Sequence, residues 1–355
     1  MILLTSNSSK STNFPDLQPS VDLIKAIQRS DGSIPWFEDG IWDAWNHVEC
    51  AMALEVAGET TAADAAFDYL RTTQNSNGSW QGEYGNTAEI IDEYYMSRET
   101  AGTFEDTNFT AYCATGIWHR FLSRSDLADL EVFWPMVRNA MYFVLNLQSD
   151  HGDVAWSSEA IAFGPDDSVR AGNASIRKSL ECATRIAFQM GAFSDARTFR
   201  HAMRRIDHAF LHHPERFDRK DDDRSRYAMD WYYPSMCGVL KGHDATLHIR
   251  QGWNEFVDPE KGCHCVLSEP WITVAESAEL AIALAGLGAR DIARQILKLQ
   301  LNHRDSDGCF WMGYQYEEDI FWPREKPSWT QAAMILAIET LRRGSPTSVL
   351  LGQHY

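Results

Sequence analysis

Apolar residues recur along the chain at helical spacing, three or four positions apart, in segments that come in pairs. The second member of each pair opens on an acid, an amide or a proline beside a polar or aromatic residue, which is a helix-start signal. Six openings follow this rule: Asp43-Ala-Trp45-Asn46, Glu105-Asp106-Thr107-Asn108, Asn173-Ala-Ser175, Asp230-Trp231-Tyr232-Tyr233-Pro234, Glu269-Pro270-Trp271-Ile-Thr273 and Pro327-Ser328-Trp329-Thr330. Each leads into a stretch rich in Ala, Leu and Met, whose small residues suit close packing. Before each lies a more charged, amphipathic segment, at 21–28, 61–73, 129–147, 194–211, 244–256 and 289–303. Glycines at Gly58, Gly288 and Gly344 mark helix ends. Outer and inner helices in sixfold alternation predict an all-α protein, an (α/α)6 toroid of six helical hairpins. The expected layout is a flexible lead-in over 1–20, one toroid domain over 21–345 and a tail over 346–355.

Four outer segments carry a glutamine, then a glycine turn and an aromatic: Gln28 to Gly32 and Trp36, Gln74 to Gly78 and Trp80, Gln148 to Gly152 and Trp156, and Gln300 with Gly308 and Trp311. An amide that bonds the turn backbone and caps a neighbouring helix accounts for the pattern structurally. Thirteen tryptophans among 355 residues exceed what packing requires, so some rings are expected to line a cavity. A net charge of −18 with no basic stripe argues against nucleic acid as a partner. No apolar run approaches the roughly 20 residues that span a bilayer, and the N-terminal apolar patch is too short for a signal-peptide core. Seven scattered cysteines fit reduced thiols and a cytoplasmic location.

In a toroid the inner-helix N-termini share one mouth, so these openings and the loops before them should converge. The acids there are Asp39, Asp43, Glu49, Asp106, Asp230, Glu269, Glu276 and Glu325, interleaved with Trp36, Trp42, Trp45, Trp231, Tyr232, Tyr233, Trp271 and Trp329. A carboxyl walled by aromatics has its charged form desolvated and stays protonated near neutral pH, as a general acid must. For any single acid, helix capping is the competing explanation, worth about 1 kcal/mol. His47 and Glu49 lie within the first inner turns, within reach of the cavity, with a hydrogen-bonding core histidine as the competing reading for His47, and Asn108 is expected to bind substrate. Gly262-Cys263-His264-Cys265 is too compact to supply a tetrahedral metal set, so no metal site is assigned. No cofactor is expected beyond Mg2+ at the charged run Asp221-Asp222-Asp223, for which a solvated loop is the competing reading.

Residues 66–80, with Phe67, Tyr69, Leu70, Gln74, Gly78 and Trp80, resemble the QW repeat of the terpene cyclase and protein prenyltransferase toroids. The resemblance implies the fold more than the reaction. Against the Asp-x-Asp-Asp acid motif of class II cyclases the nearest stretch is Phe104-Glu105-Asp106-Thr107-Asn108, a partial match. A second likeness points elsewhere: the stretches around Trp134-Pro135 and Trp322-Pro323 are similar to six-hairpin glycosidases, whose acid and base lie in loops that correspond here to 148–173 and 304–328. Those loops hold Glu159 and the cluster Glu317, Glu318, Asp319 and Glu325.

The leading expectation is therefore an isoprenoid-converting enzyme of the terpene cyclase and prenyltransferase type, using Asp43, Asp106 or Asp230 as acid and aromatic faces to stabilise cations. The alternative is a six-hairpin glycoside hydrolase using Glu159 with Glu317, Glu318 or Glu325 as paired carboxylates on a carbohydrate. A third reading is a noncatalytic ligand-binding toroid. A cyclase on a single barrel would need an unusual cavity or a homodimer.

Overall fold

The computed structural model describes residues 14–85, 104–158, 168–217 and 224–352. Its helices gather into two compact units, one of residues 25–225 and one of residues 1–24 with 226–355.

In the 25–225 unit three inner helices, α2 (Ala44–Val56), α4 (Thr107–Arg124) and α6 (Arg170–Gln189), alternate with three outer ones, α3 (Thr60–Thr72), α5 (Leu127–Asn146) and α7 (Phe193–His212). The inner helices are buried almost all round and pack in the order α2, α4, α6 through Ala, Cys, Thr and Ser positions. Gly116 shows how tight this is, because a Cβ there would stand 2.5 Å from Val48. Each outer helix packs on its inner partner through one apolar stripe, such as Ala63, Ala66, Phe67 and Leu70 of α3. Buried Arg120 of α4 pairs with Asp129 of α5 (2.6 Å) and Asp64 of α3 (2.8 Å), and Arg124 reaches Glu55 of α2 (2.7 Å), so one cationic pair ties four helices.

The other unit has inner helices α8 (Ala228–Met236), α10 (Val274–Gly286) and α12 (Ser328–Thr340), with outer helices α9 (Gly242–Phe256) and α11 (Arg290–Gln300) and residues 18–24 of α1 (Gln18–Ile27). Ser20 of α1 donates to Gln331 of α12 at 2.9 Å. Short strands, absent from the helical reading, fill its connectors: β1 (Val257–Asp258) pairs with β2 (Gly262–Cys263), and β3 (Trp271–Thr273), β4 (Gly313–Gln315) and β5 (Ile320–Phe321) form an antiparallel sheet with Ile272 opposite Tyr314 and Tyr314 opposite Phe321. The predicted tail is instead partly helical: α13 (Pro346–Leu351) buries Leu350 and Leu351. Likewise α1 begins at Gln18, inside the expected lead-in. Among the described residues no helix is long and apolar enough to cross a membrane.

Each of three glutamine turns bonds the outer helix that follows it in the chain. Gln28 donates from Nε2 to the carbonyls of Gly32 (3.1 Å) and Ala62 in α3 (2.9 Å). Gln74 does so to Gly78 (2.9 Å) and Met136 in α5 (3.0 Å), and Gln148 to Gly152 (2.8 Å) and Ala202 in α7 (3.0 Å). The glycines hold φ near +100°, and a Cβ at Gly32, Gly78 or Gly152 would lie 2.2–2.4 Å from the carbonyl oxygen of Ala65, Asn139 or Arg205. Only a residue without a side chain admits that approach. The fourth turn departs from expectation. Arg304, not Gln300, donates to Gly308 and reaches the Asp16 carbonyl, while Gln300 is buried and donates to Lys261.

Two substitutions test the joint. Gly152→Ala should destabilise the protein by about 3 kcal/mol through clash and strain, and Gln148→Ala by about 1–3 kcal/mol through two orphaned carbonyls. Denaturant melts read both, and a Gly152→Ala midpoint equal to wild type would refute the close-approach account.

Candidate active site

The loops that precede α2, α4 and α6 are laced together within the 25–225 unit. Trp42 and Tyr84 exchange both backbone hydrogen bonds (2.9 and 2.8 Å), and their rings stack at 4.3 Å. Gln81 pairs with Glu105, and Asp106 with Ser157. In an antiparallel pair the residues next to a bridge face each other on one side, so Asp43 is set opposite Glu83. Glu83 escaped the sequence reading. The signal available was an acid three positions after Trp80, in Gln81-Gly82-Glu83-Tyr84, where Gly82 is required because the Phe104 ring lies 2.2 Å from where its Cβ would be.

Four carboxyls collect around this lacing. Asp43 caps α2: Oδ1 accepts from the Asn46 backbone N–H (2.9 Å), and Oδ2 accepts from Trp36 Nε1 (2.6 Å) and Asn46 Nδ2 (2.6 Å). Complete burial pushes its pKa up, and the donors oppose that push. Glu83 has a buried Oε2 with no hydrogen-bond partner, and desolvation followed by the nearby Asp43 charge raises its pKa to about 7. Asp106 caps α4 through the Phe109 N–H (2.8 Å), and burial, with Asp43 again contributing, raises it to about 7. Glu49, one turn into α2, accepts from Trp45 Nε1 (3.0 Å) and the Tyr112 hydroxyl (3.2 Å) and is raised by burial to about 7. Asp43 therefore acts on all three. Its three N–H donors favour its charged form, and a charge there adds to the burial that raises the other three.

Of the residues expected to bind ligand in this unit, Trp36 and Trp45 are half-buried beside Asp43. Asn108 is buried with Oδ1 lacking a hydrogen-bond partner. Two expectations are corrected. Trp42 is core, sandwiched against Tyr84 and Tyr69. His47 is fully buried, with Nδ1 accepting from the Ile34 N–H (3.1 Å) and Nε2 at 2.8 Å from the Ala66 carbonyl; burial lowers its pKa to about 4, so it is a neutral core residue with no nitrogen left for a ligand. Glu159 and the Asp221–Asp223 run expected to attract Mg2+ lie outside the described residues.

The other unit has its own acidic cluster, centred on α10. Glu279 accepts from the Tyr232 and Tyr233 hydroxyls, the latter at 2.7 Å, and both rings are buried. These tyrosines and Trp231, which stacks on Phe256 at 4.9 Å, are thus packing residues, not a ligand surface. The reason is that α8 starts at Ala228, so the aromatic run lies within the helix and not before it. Asp230 is buried in the first turn of α8. Glu276 is half-buried one turn before Glu279. Trp271 donates to the Trp322 carbonyl (2.7 Å), Trp329 is half-buried, and partial burial raises Glu325. Glu269, Glu317 and Glu318 are exposed. Burial drives the Cys263 and Cys265 thiols far up, away from the thiolate a metal needs. Among the described residues no three His, Cys, Asp or Glu side chains group so as to hold a metal ion.

No model of a known protein family matches the chain. Solved structures do, at the level of fold: a glycosidase variant in complex with glucose superposes with a TM-score of 0.70 over 92% of this chain and 96% of that one, at 12% identity. A rhamnosidase from Klebsiella oxytoca with rhamnose bound gives 0.61 over 92% of this chain and 64% of its own, at 15% identity. These likenesses bear out the all-α class and the helical-hairpin toroid. In sequence, 323 residues, 91% of this chain and 85% of the relative, are 40% identical to the MMP endo-(1,4)-3-O-methyl-α-D-mannosidase of Mycolicibacterium hassiacum. The isoprenoid reading is thereby overturned. The glutamine repeat that suggested it is a joint between helices, and Glu105, half of the partial cyclase motif, has its Oε1 occupied by Ser79 (2.6 Å) and Asn77 (2.7 Å). With two-fifths of its residues shared across nearly its whole length, the chain belongs to the family of that endo-acting mannosidase, and the enzyme is a glycoside hydrolase.

Proposed function

We propose that this enzyme hydrolyses internal α-(1,4) bonds in a polysaccharide of 3-O-methylated mannose, with Asp43 and Glu83 as its working carboxyls. The observation that carries the substrate class is the 40% identity to an enzyme of that specificity. The residue assignment is supported by chemistry. Glycoside cleavage needs one carboxylic acid to protonate the departing oxygen and one carboxylate at the anomeric side. Glu83, desolvated and raised to about 7, is the acid; its unpartnered Oε2 is the atom that would hold the proton. Asp43, held by three N–H donors, is the carboxylate, fixed in orientation by the start of α2. Half-buried Trp36 and Trp45 supply ring faces on which pyranoses stack.

Asp43→Asn and Glu83→Gln should each lower kcat on a 3-O-methylmannose oligosaccharide by about 10³-fold, while Glu276→Gln, in the other acidic cluster, keeps turnover within about tenfold. Thermal melts confirm folding of each variant. Glu83→Gln turnover within tenfold of wild type would remove Glu83 from the reaction, and a full loss in Glu276→Gln would move a catalytic role to α10.

The protonation states set the pH dependence. Activity should fall as pH rises through about 7, where Glu83 loses its proton, and that limb should vanish from the residual rate of Glu83→Gln. Stability follows the same sign. Glu49, Glu83 and Asp106 bind protons more tightly folded than unfolded, so their contribution is complete below their ordinary carboxylate values and is lost as pH climbs towards 7. Glu49→Gln should recover about 1–3 kcal/mol of that loss, seen as a smaller drop in Tm between about pH 5 and pH 8. An unchanged drop would show Glu49 to be ionised throughout.

A further inference from the structure

Beside Asp43, the half-buried indole of Trp45 lies against Phe109 at 5.6 Å and Tyr112 at 5.8 Å, with the rings tilted by 58° and 53°. Trp45 and Glu49 are one helical turn apart on α2, and Phe109 and Tyr112 are three apart on α4, so each pair shares a helix face. The polar atoms of this group turn to one point: Trp45 Nε1 and the Tyr112 hydroxyl both donate to Glu49 Oε1. With the donors engaged there, half-buried Trp45 and Phe109 offer ring faces and edges to a ligand, while Tyr112 is buried and braces the indole. Such a surface gains apolar contact from an added methyl.

We propose that Trp45 and Phe109, held by Tyr112 and Glu49, form a stacking subsite that takes a 3-O-methylated pyranose in preference to the unmethylated sugar. The proposal rests on the glycosidase reading and adds to it the residues that select the methyl ether. Glu49 is a positioning residue, acting through the indole and the phenol. The methyl group enters the contact with the rings, whereas a free 3-hydroxyl in its place gains no such apolar contact.

The test compares an α-(1,4)-linked 3-O-methylmannose oligosaccharide with the unmethylated oligosaccharide of equal length, by turnover and by calorimetric binding. Trp45→Ala should weaken the methylated ligand by about 10-fold or more, through KM and Kd, with a smaller loss for the unmethylated one, so that the preference collapses. Glu49→Ala should follow Trp45→Ala, and Glu49→Gln, whose amide oxygen still accepts from both donors, should restore most of the preference. A preference that survives Trp45→Ala, an equal loss on both ligands, or Glu49→Gln behaving as Glu49→Ala overturns the subsite. Wild-type enzyme that binds the methylated ligand preferentially but never cleaves it would instead sink the hydrolase assignment and leave the subsite standing; binding of neither ligand sinks both.

Discussion

A side-chain amide that bonds two carbonyls at once is the contact on which the repeated hairpins depend. Each of Gln28, Gln74 and Gln148 satisfies a glycine carbonyl in its own turn and a carbonyl in the next outer helix. The bond works only because the turn can come within van der Waals range of the helix backbone, which the missing Cβ permits. Where the glutamine is engaged elsewhere, as Gln300 is with Lys261, Arg304 donates instead to the carbonyls of Gly308 and Asp16. The joint thus fixes where each outer helix ends and where the following connector begins. In the 25–225 unit the connectors at 74–85 and 148–158 then run on into the bridges around Asp43, Glu83 and Asp106.

Gathering four carboxyls there opposes stability, since a buried charge without a cation is costly and mutual repulsion adds to the cost. The structure resolves the conflict by inequality. Asp43 receives three N–H donors, which favour its charged form, whereas Glu83 has an unpartnered oxygen and is raised to about 7. A purely structural acid would look like Glu105, whose Ser79 and Asn77 partners favour its charged form and lower its pKa, or like Glu181, lowered to about 2 by Lys178 and Arg177. Raised acids with few partners and paired acids with many sit within one unit, and the difference separates candidate chemistry from scaffold.

Much of the architecture was legible because helix periodicity, cap residues and positive-φ glycines are local properties. Asp43 and Asp106 cap the helices their positions announced, and Gly58, Gly288 and Gly344 hold φ near +80°. The site was legible only where a residue's fate is set by its own helix turn. His47 and Tyr232 are consumed by partners far away in sequence, Ala66 and Glu279, which no local pattern reveals. Glu83 lies in a connector and becomes important only because Trp42 and Tyr84 pair across 42 residues. The strands of the other unit were missed because two or three residues are too few to show alternation.

The misreading of function has a physical root as well. An acid among aromatics serves polyene protonation and glycoside cleavage equally well, since both need a proton held at a desolvated carboxyl. What separates them is the second group. A cation cascade asks for one acid and then apolar ring faces, with few polar groups nearby. Here the carboxylate opposite Glu83 is oriented by Trp36 and Asn46, whose polar donors sit in the same rim, and Asp106 and Asn108 stand at the next helix start. A carbocation formed among that many oxygens would be captured quickly, whereas a sugar, studded with its own donors and acceptors, is matched by them.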